Sequence, residues 1–126
     1  MDLKEMINGS EEKLRIVQEL VPGKQISIAH VIANPDQVLY TKLGLDPTKD
    51  YHRDAIGVVT ITPAETAIII ADIALKSSGA ELGFVDRFSG TLILTGLVAD
   101  VLSSITALVN YAKDTLGFTV CPITKT

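Results

Sequence analysis

Asp86, Arg87, Phe88, Ser89 and Gly90 place a carboxylate, a guanidinium, an aromatic ring, a hydroxyl and a glycine side by side between two apolar runs. Such a cluster could serve a catalytic loop, a ligand loop or a contact between subunits. Asp86 and Arg87 are adjacent, so on a strand they point to opposite faces and form no intrinsic ion pair. His30 falls among isoleucines in "QISIAHVI", where an imidazole bonded to a neighbour is expected in preference to a catalytic base. His52 lies in the polar stretch "LDPTKDYHRD" and is expected to be solvated. No Ser, Cys or carboxylate has the surroundings of a nucleophile elbow or a metal box. Gly79, Gly83, Gly90 and Gly96 never give GxGxxG, and no Walker spacing exists. The residues give enzyme chemistry almost no support, and no cofactor or metal is expected.

Composition narrows the class further. A chain of 126 residues has room for one domain with a core that needs no metal or disulfide staple. The single cysteine, Cys121, excludes an internal disulfide, which points to a reducing cytoplasm. The formal charge of −4, with no run of Lys or Arg, argues against binding nucleic acid through its phosphates. Glu65 and Asp72 interrupt the most apolar stretch, so no membrane span is expected. Hydrophobic residues make up 47% of the chain, yet only three are Phe, three Tyr and none Trp. Aliphatic content on that scale in a small domain implies burial between subunits as well as within one.

The elements that would position the cluster are legible in the pattern. Residues 1–13 show no period and read as a flexible leader. In "LRIVQELV", Leu14, Ile16 and Leu20 share one side of an extended segment, with Arg15 and Glu19 on the other beside Val17 and Val21. Pro22-Gly23 signals a turn, and "KQISIAHVIAN" is a second strand alternating Ile26, Ile28, His30 and Ile32 against Ser27, Ala29 and Val31. Asn34 before Pro35 predicts a helix start, with the helix ending at Gly44. "AIGVVTI" has the β-branched run of a covered central strand. Thr62-Pro63-Ala64-Glu65 has the spacing of a capping box opening a helix that runs to Lys76. That helix has one polar stripe, Glu65, Asp72 and Lys76; its apolar arc is too wide for one sheet face to cover, so a second copy of the chain is the simplest partner. Two strands then meet near Arg87 to Gly90. The last helix carries Val98, Val101, Leu102, Ile105, Leu108, Val109 and Ala112 on one face and Asp100, Ser103, Ser104, Thr106, Asn110 and Lys113 on the other, with Gly117 as its stop. A terminal strand, "FTVCPIT", completes an α/β or α+β sandwich in which helices cover a sheet.

The stretch from "AIGVVTITPAETAIIIADIALKSSGAELGFVDRFSG" to "TLILTGLVADVLSSI" resembles the bacterial microcompartment (BMC) shell domain. The segment ahead of it, "RIVQELVPGKQISIAHVIANP", resembles the start of the circularly permuted shell proteins of the ethanolamine-utilisation S and propanediol-utilisation U type. The resemblance covers 14–126, and "ELVPGKQISIAH" and "LGFVDRFSG" carry it most specifically. It implies one permuted BMC domain over 14–126 with a ferredoxin-like sheet, and a non-enzymatic subunit that tiles as a homohexamer with other shell proteins. It further implies a location in a microcompartment of the cytoplasm, and contacts with encapsulated enzymes. By position, Arg87, Phe88, Ser89 and Gly90 correspond to the loop around the sixfold pore, and Lys76 to the lysine at the hexamer edge. The loop departs from the usual lysine, isoleucine, glycine, serine, glycine pattern by lacking one glycine and carrying Phe88, so pore width does not carry over. In the permuted type, the segment corresponding to Leu14, Arg15, Ile16, Val17, Gln18, Glu19, Leu20 and Val21 forms, with its symmetry mates, a small β-barrel over the axis. Closure of that kind would remove the exposed edges of an otherwise isolated strand. The competing expectation, from the same element order, is a ferredoxin-like regulatory or small-ligand-binding trimer.

Overall fold

The computed structural model describes residues 23–126, so the expected leader at 1–13 and the expected axial strand at 14–21 lie outside the described residues. In chain order the elements are β1 (Gln25–Ile32), α1 (Val38–Lys42), β2 (Ala55–Thr62), α2 (Thr66–Ser77), β3 (Glu81–Asp86), β4 (Thr91–Gly96), α3 (Val98–Asp114), β5 (Thr119–Val120) and β6 (Thr124–Lys125). One sheet runs β3-β4-β2-β1-β5, with β6 also pairing β1. The pairings of β1, β2, β3 and β4 are antiparallel, whereas β5 and β6 run parallel to β1.

β2 occupies the covered central place that its β-branched run predicts, paired on both sides and with Ala55, Ile56, Val59 and Ile61 almost wholly buried. Helices α2 and α3 lie on one face of the sheet over Val31, Val59, Leu92 and Leu94, and supply Ile70, Val101, Ile105 and Leu108 to the same core. Gly57 lets α3 settle onto β2: a Cβ there would stand 2.7 Å from Val101 Cγ1 and 2.9 Å from Ile105 Cδ1. The other face is covered only in part, by α1 and the loop after it, where Tyr40, Leu45 and Tyr51 pack on Ile56 and Ile93.

Five local expectations are corrected. In β1 the pairing register shifts between Ile26 and Ile28, so Ile26, Ala29 and Val31 are buried in the core and Ile28 is left 47% exposed.

 Ala29 is thereby buried where simple alternation turns it outward. Helix α1 begins at Val38 and not beside Asn34, because the Asp36 carboxylate accepts the Val38 N–H at 3.0 Å and so starts the turn two residues past Asn34. The capping box does not form. Thr62 is still in the β2 ladder opposite Gln25, the helix starts four residues later, and the turn is closed by backbone bonds from Thr66, Ala67 and Ile68 N–H to Pro63, Ala64 and Glu65 C=O. On α3, Ser104 is fully buried and Leu102 is 37% exposed, the reverse of the expected faces. Ser104 donates to the Ala74 carbonyl of α2 at 2.9 Å and lies 2.6 Å from Ser78 Oγ, which donates to the Asp100 carbonyl, so the hydroxyl is satisfied inside the helix pair. The terminal strand is split into β5 and β6 around Pro122, which has no N–H for a ladder.

The wide apolar arc of α2 is present as expected. Ile70, Ala71 and Ala74 face the core, while Ile68 and Ile69 remain 50% and 47% exposed and Leu75 also reaches the surface.

Candidate functional site

The β3–β4 hairpin brings Arg87, Phe88, Ser89 and Gly90 together as one tight tip. Asp86 and Thr91 are paired across its base, and the Gly90 N–H donates to the Asp86 carbonyl at 2.9 Å. The Asp86 side chain folds back over the turn, where Oδ1 accepts the Phe88 N–H at 2.8 Å and Oδ2 accepts the Ser89 hydroxyl at 2.8 Å. Those bonds, the Phe88 N–H first and then the Ser89 hydroxyl, hold the Asp86 carboxyl below the usual carboxylate range. Ser89 Oγ also lies 3.0 Å from Thr91 Oγ1.

Two side chains are left facing outward. Phe88 is 81% exposed, and the Arg87 guanidinium stands 5.0 Å from the centre of its ring, within cation–π range. Asp86 and Arg87 make no ion pair, as their adjacency on the chain predicts.

Gly90 fastens the tip to the sheet. It is buried with φ +75°, its carbonyl accepts the Ile61 N–H at 2.9 Å, and a Cβ would stand 2.0 Å from the Ile61 carbonyl oxygen. Only glycine combines that backbone angle with that approach. The end of β2 therefore lies against the tip, and the start of β1 is beside it, since Gln25 pairs with Thr62 and Gly23 packs near the Thr62 methyl. The chain thus enters the described region next to the hairpin tip.

Lys76 occupies the far end of the subunit. Helix α2 leaves the tip end after Thr62 and runs back along the sheet, so its last turn lies toward Gly79 and Ala80, beside Gly96 at the end of β4. Lys76 Nζ is 2.7 Å from Asp72 Oδ2 across one helical turn, and both side chains are more than half exposed.

The histidines take the places expected for them. Both ring nitrogens of His30 are engaged by hydroxyls of the last strand, Nδ1 by Thr124 and Nε2 by Thr126 at 2.9 Å. His52 is exposed, with its backbone N–H donated to Asp50 Oδ1. Cys121 is a free, half-buried thiol. Among the described residues no group of three or more His, Cys, Asp or Glu is placed to hold a metal ion, and no helix is long and apolar enough to cross a membrane.

Sequence reasoning missed a second feature, an open cleft of about 480 Å³ between α1 and the loop after it, bordered by Tyr40, Leu45, Asp46, Lys49 and Tyr51. Tyr40 and Tyr51 stack at 5.1 Å with rings 7° from parallel, and the Lys49 ammonium sits 5.4 Å from the Tyr51 ring while pairing with Glu81. The Tyr40 hydroxyl donates to the Asp54 carbonyl; burial, and after it the Asp54 charge, pushes that phenol up, and burial raises the Asp54 carboxyl too. The signal was available: Leu45 and Tyr51 are the two large apolar bodies in an otherwise polar stretch, and both are buried.

Comparison with known proteins places this geometry in a family. Residues 55–124 match the BMC domain. The match begins at β2, so β1, an inner strand of the same sheet, precedes it in the chain, the order that a circular permutation produces. The bacterial microcompartment shell protein CutR of Streptococcus intermedius is 50% identical over 111 residues, covering 88% of this chain and 91% of the relative. The bacterial microcompartment shell protein PduU of Salmonella typhimurium is 46% identical over 112 residues, covering 89% and 93%. A solved CutR flat hexamer, form 1, superposes with a TM-score of 0.76 at 47% identity, covering 84% of this chain and 94% of that chain. With more than half of its length inside the domain and such identity along nearly the whole of its relatives, the chain belongs to the BMC-domain family of bacterial microcompartment shell proteins.

Proposed function

We propose that the chain is a structural, non-enzymatic shell subunit that forms a homohexamer and tiles, with other shell proteins, the wall of a microcompartment in the bacterial cytoplasm. The observation that carries this reading is the outer face of α2, where Ile68, Ile69 and Leu75 stand exposed on a helix whose opposite face is already packed. An apolar patch at that place needs a partner surface, and the flat hexamer of CutR supplies the precedent. The polar residues of the hairpin tip support the absence of catalysis, because Asp86 and Ser89 bond each other and leave no acid, base or nucleophile aligned on an open site.

In this reading Arg87, Phe88, Ser89 and Gly90 surround the sixfold axis, and residues 14–21 of six copies close a β-barrel over it, so that the subunit contributes a capped platform more than an open channel. The entry of the chain beside the tip at Gly23 supports that arrangement. Lys76, at the opposite end of α2, then meets neighbouring hexamers.

Native mass spectrometry of the full chain tests the assembly. A sixfold mass is expected; a trimer or monomer at micromolar concentration would overturn the proposal and return the ferredoxin-like trimer. Lys76→Ala is expected to leave the hexamer intact and to reduce sheets or tubes seen by electron microscopy. Amide exchange at 14–21 in the hexamer is expected to be slow, and unprotected amides there would remove the barrel.

A further inference from the structure

We infer that the end of the subunit opposite the hairpin tip is a self-complementary edge fitted by a second copy of the chain, with Leu97 as its apolar centre and Asp100 as the carboxylate that receives Lys76 of the partner subunit. This rests on the placement of Lys76 at the hexamer edge proposed above; the family resemblance names only that lysine, whereas Leu97 and Asp100 come from the structure. Leu97 stands immediately before α3 in an extended conformation, φ −61° and ψ 145°, and is 66% exposed. Gly96, the residue before it, packs on the turn that follows α2, where a Cβ would stand 3.4 Å from Ala80 Cα. Leu97 therefore lies beside the 76–80 turn, and Leu75 reaches the surface on the last turn of α2.

The charges at this end are unevenly engaged. Asp100 lies in the first turn of α3 with its carboxylate across Gly79, where a Cβ would stand 2.9 Å from Asp100 Oδ2. Ser78 bonds the Asp100 backbone carbonyl, while the carboxylate has neither a hydrogen bond nor an ion pair among the described residues. Lys76 is paired only with Asp72, and side-chain exposures of 73% and 57% make that pair weak and exchangeable. One end thus carries a cation with a replaceable partner, a carboxylate with none and an exposed leucine. Identical rings laid side by side in a sheet meet across a twofold axis, so the edge has to complement itself. An edge bearing Lys76 alone would set like charges against each other across that axis. An edge bearing both signs lets each Lys76 meet the other subunit's Asp100, while the paired Leu97 side chains exclude water beside them.

The test is sheet assembly of the full chain, followed by light scattering and electron microscopy, with native mass spectrometry confirming each variant as a hexamer. Leu97→Asp should raise the concentration at which sheets appear by about tenfold or more. Lys76→Asp and Asp100→Lys should each raise it too, and the double exchange should bring it back near the wild-type threshold, because it reverses the pair without breaking it. Asp100→Asn, which adds no cation at the start of α3, should also raise the threshold, and Asp72→Asn should leave it unchanged. Sheets that form equally well with Leu97→Asp, or that the double exchange fails to restore, overturn the inference. A loss with Asp72→Asn and none with Asp100→Asn gives the carboxylate's role to Asp72 and overturns it as well. The edge placement is tested separately, with Leu97→Cys in a Cys121→Ser background and a short bis-maleimide, where links joining two hexamers are expected. Links confined to one hexamer, or a wild type that never forms sheets, refute the placement of this end at the edge; links between hexamers whose sheets ignore Leu97→Asp and the charge variants refute only the inference.

Discussion

Gly90→Ala is the sharpest test of how the hairpin tip is held. A non-glycine residue at φ +75° costs about 1–2 kcal/mol from backbone sterics alone. The new methyl would stand 2.0 Å from the Ile61 carbonyl oxygen, a backbone atom that no rotamer change can move. The tip must then lift from β2 and lose the bond from the Ile61 N–H to the Gly90 carbonyl, worth about 1 kcal/mol net. The Gly90 N–H bond to the Asp86 carbonyl is at risk for a similar amount. A loss of about 3–4 kcal/mol follows, which for a domain of this size lowers Tm by roughly 10 °C or more. Gly117→Ala is the control, since Gly117 shares a positive φ of 72° but has nothing within 4 Å of its Cβ position, so only the backbone cost of about 1–2 kcal/mol applies. Both variants should be unfolded by urea at one fixed subunit concentration, because assembly adds to apparent stability. Amide exchange at Ile61 should accelerate in Gly90→Ala alone. Equal destabilisation by the two variants, with Ile61 still protected, would refute the argument that the approach to β2 fixes the tip.

Ser104→Ala removes a buried donor that bonds the Ala74 carbonyl and touches Ser78, and should cost about 1–2 kcal/mol in urea unfolding. The Asp86 carboxyl has its pKa lowered by folding, so the stability it contributes is present above the ordinary carboxylate value of about 3.9 and is lost as pH falls through the lowered value. The protection factor of the Phe88 amide, its exchange rate divided into the intrinsic rate at the same pH, should therefore fall on acidification below about pH 4, and Asp86→Asn should abolish that step. Arg53 sits at φ +68° in an exposed turn, and Arg53→Gly should stabilise the chain by up to about 1 kcal/mol, the relief of strain less the extra entropy of glycine in the unfolded state, read from the urea midpoint.

The fold was legible wherever period and turn chemistry agreed. β2, the β3–β4 hairpin, the body of α2 through Lys76 and α3 stand where the pattern puts them, because β-branched runs, a glycine at the turn and an i, i+3, i+4 stripe each express a local preference that the packing keeps. The failures have the opposite cause. One extra residue in β1 reverses which side chains are inside, and no alternating pattern can announce a bulge that depends on the partner strand. The Thr62 to Glu65 spacing suits a capping box, but pairing with Gln25 keeps Thr62 in the sheet, so a tertiary contact overrides a local motif. Ser104 looks like surface until the Ala74 carbonyl of a neighbouring helix is seen to need a donor. For the candidate site, the residues of the tip were readable, but the fold-back of Asp86 that separates the inward polar atoms from the outward Arg87 and Phe88 was not.

That separation bears on what a wall subunit requires. A catalytic loop keeps its acid, base or hydroxyl free to reach a substrate and accepts local strain to do so. The tip here does the reverse: Asp86 and Ser89 close on each other, Gly90 locks onto β2, and the remaining guanidinium and ring project from the surface. The same division holds along α2, whose inner residues Ile70, Ala71 and Ala74 complete the core while Ile68, Ile69 and Leu75 stay at the surface. With the stiff tip at one end of the sheet and Asp72 with Lys76 at the other, each end of the subunit presents a different chemistry to its surroundings. A tile needs that polarity, because the contacts that close a ring about its centre must differ from those that join one ring to the next.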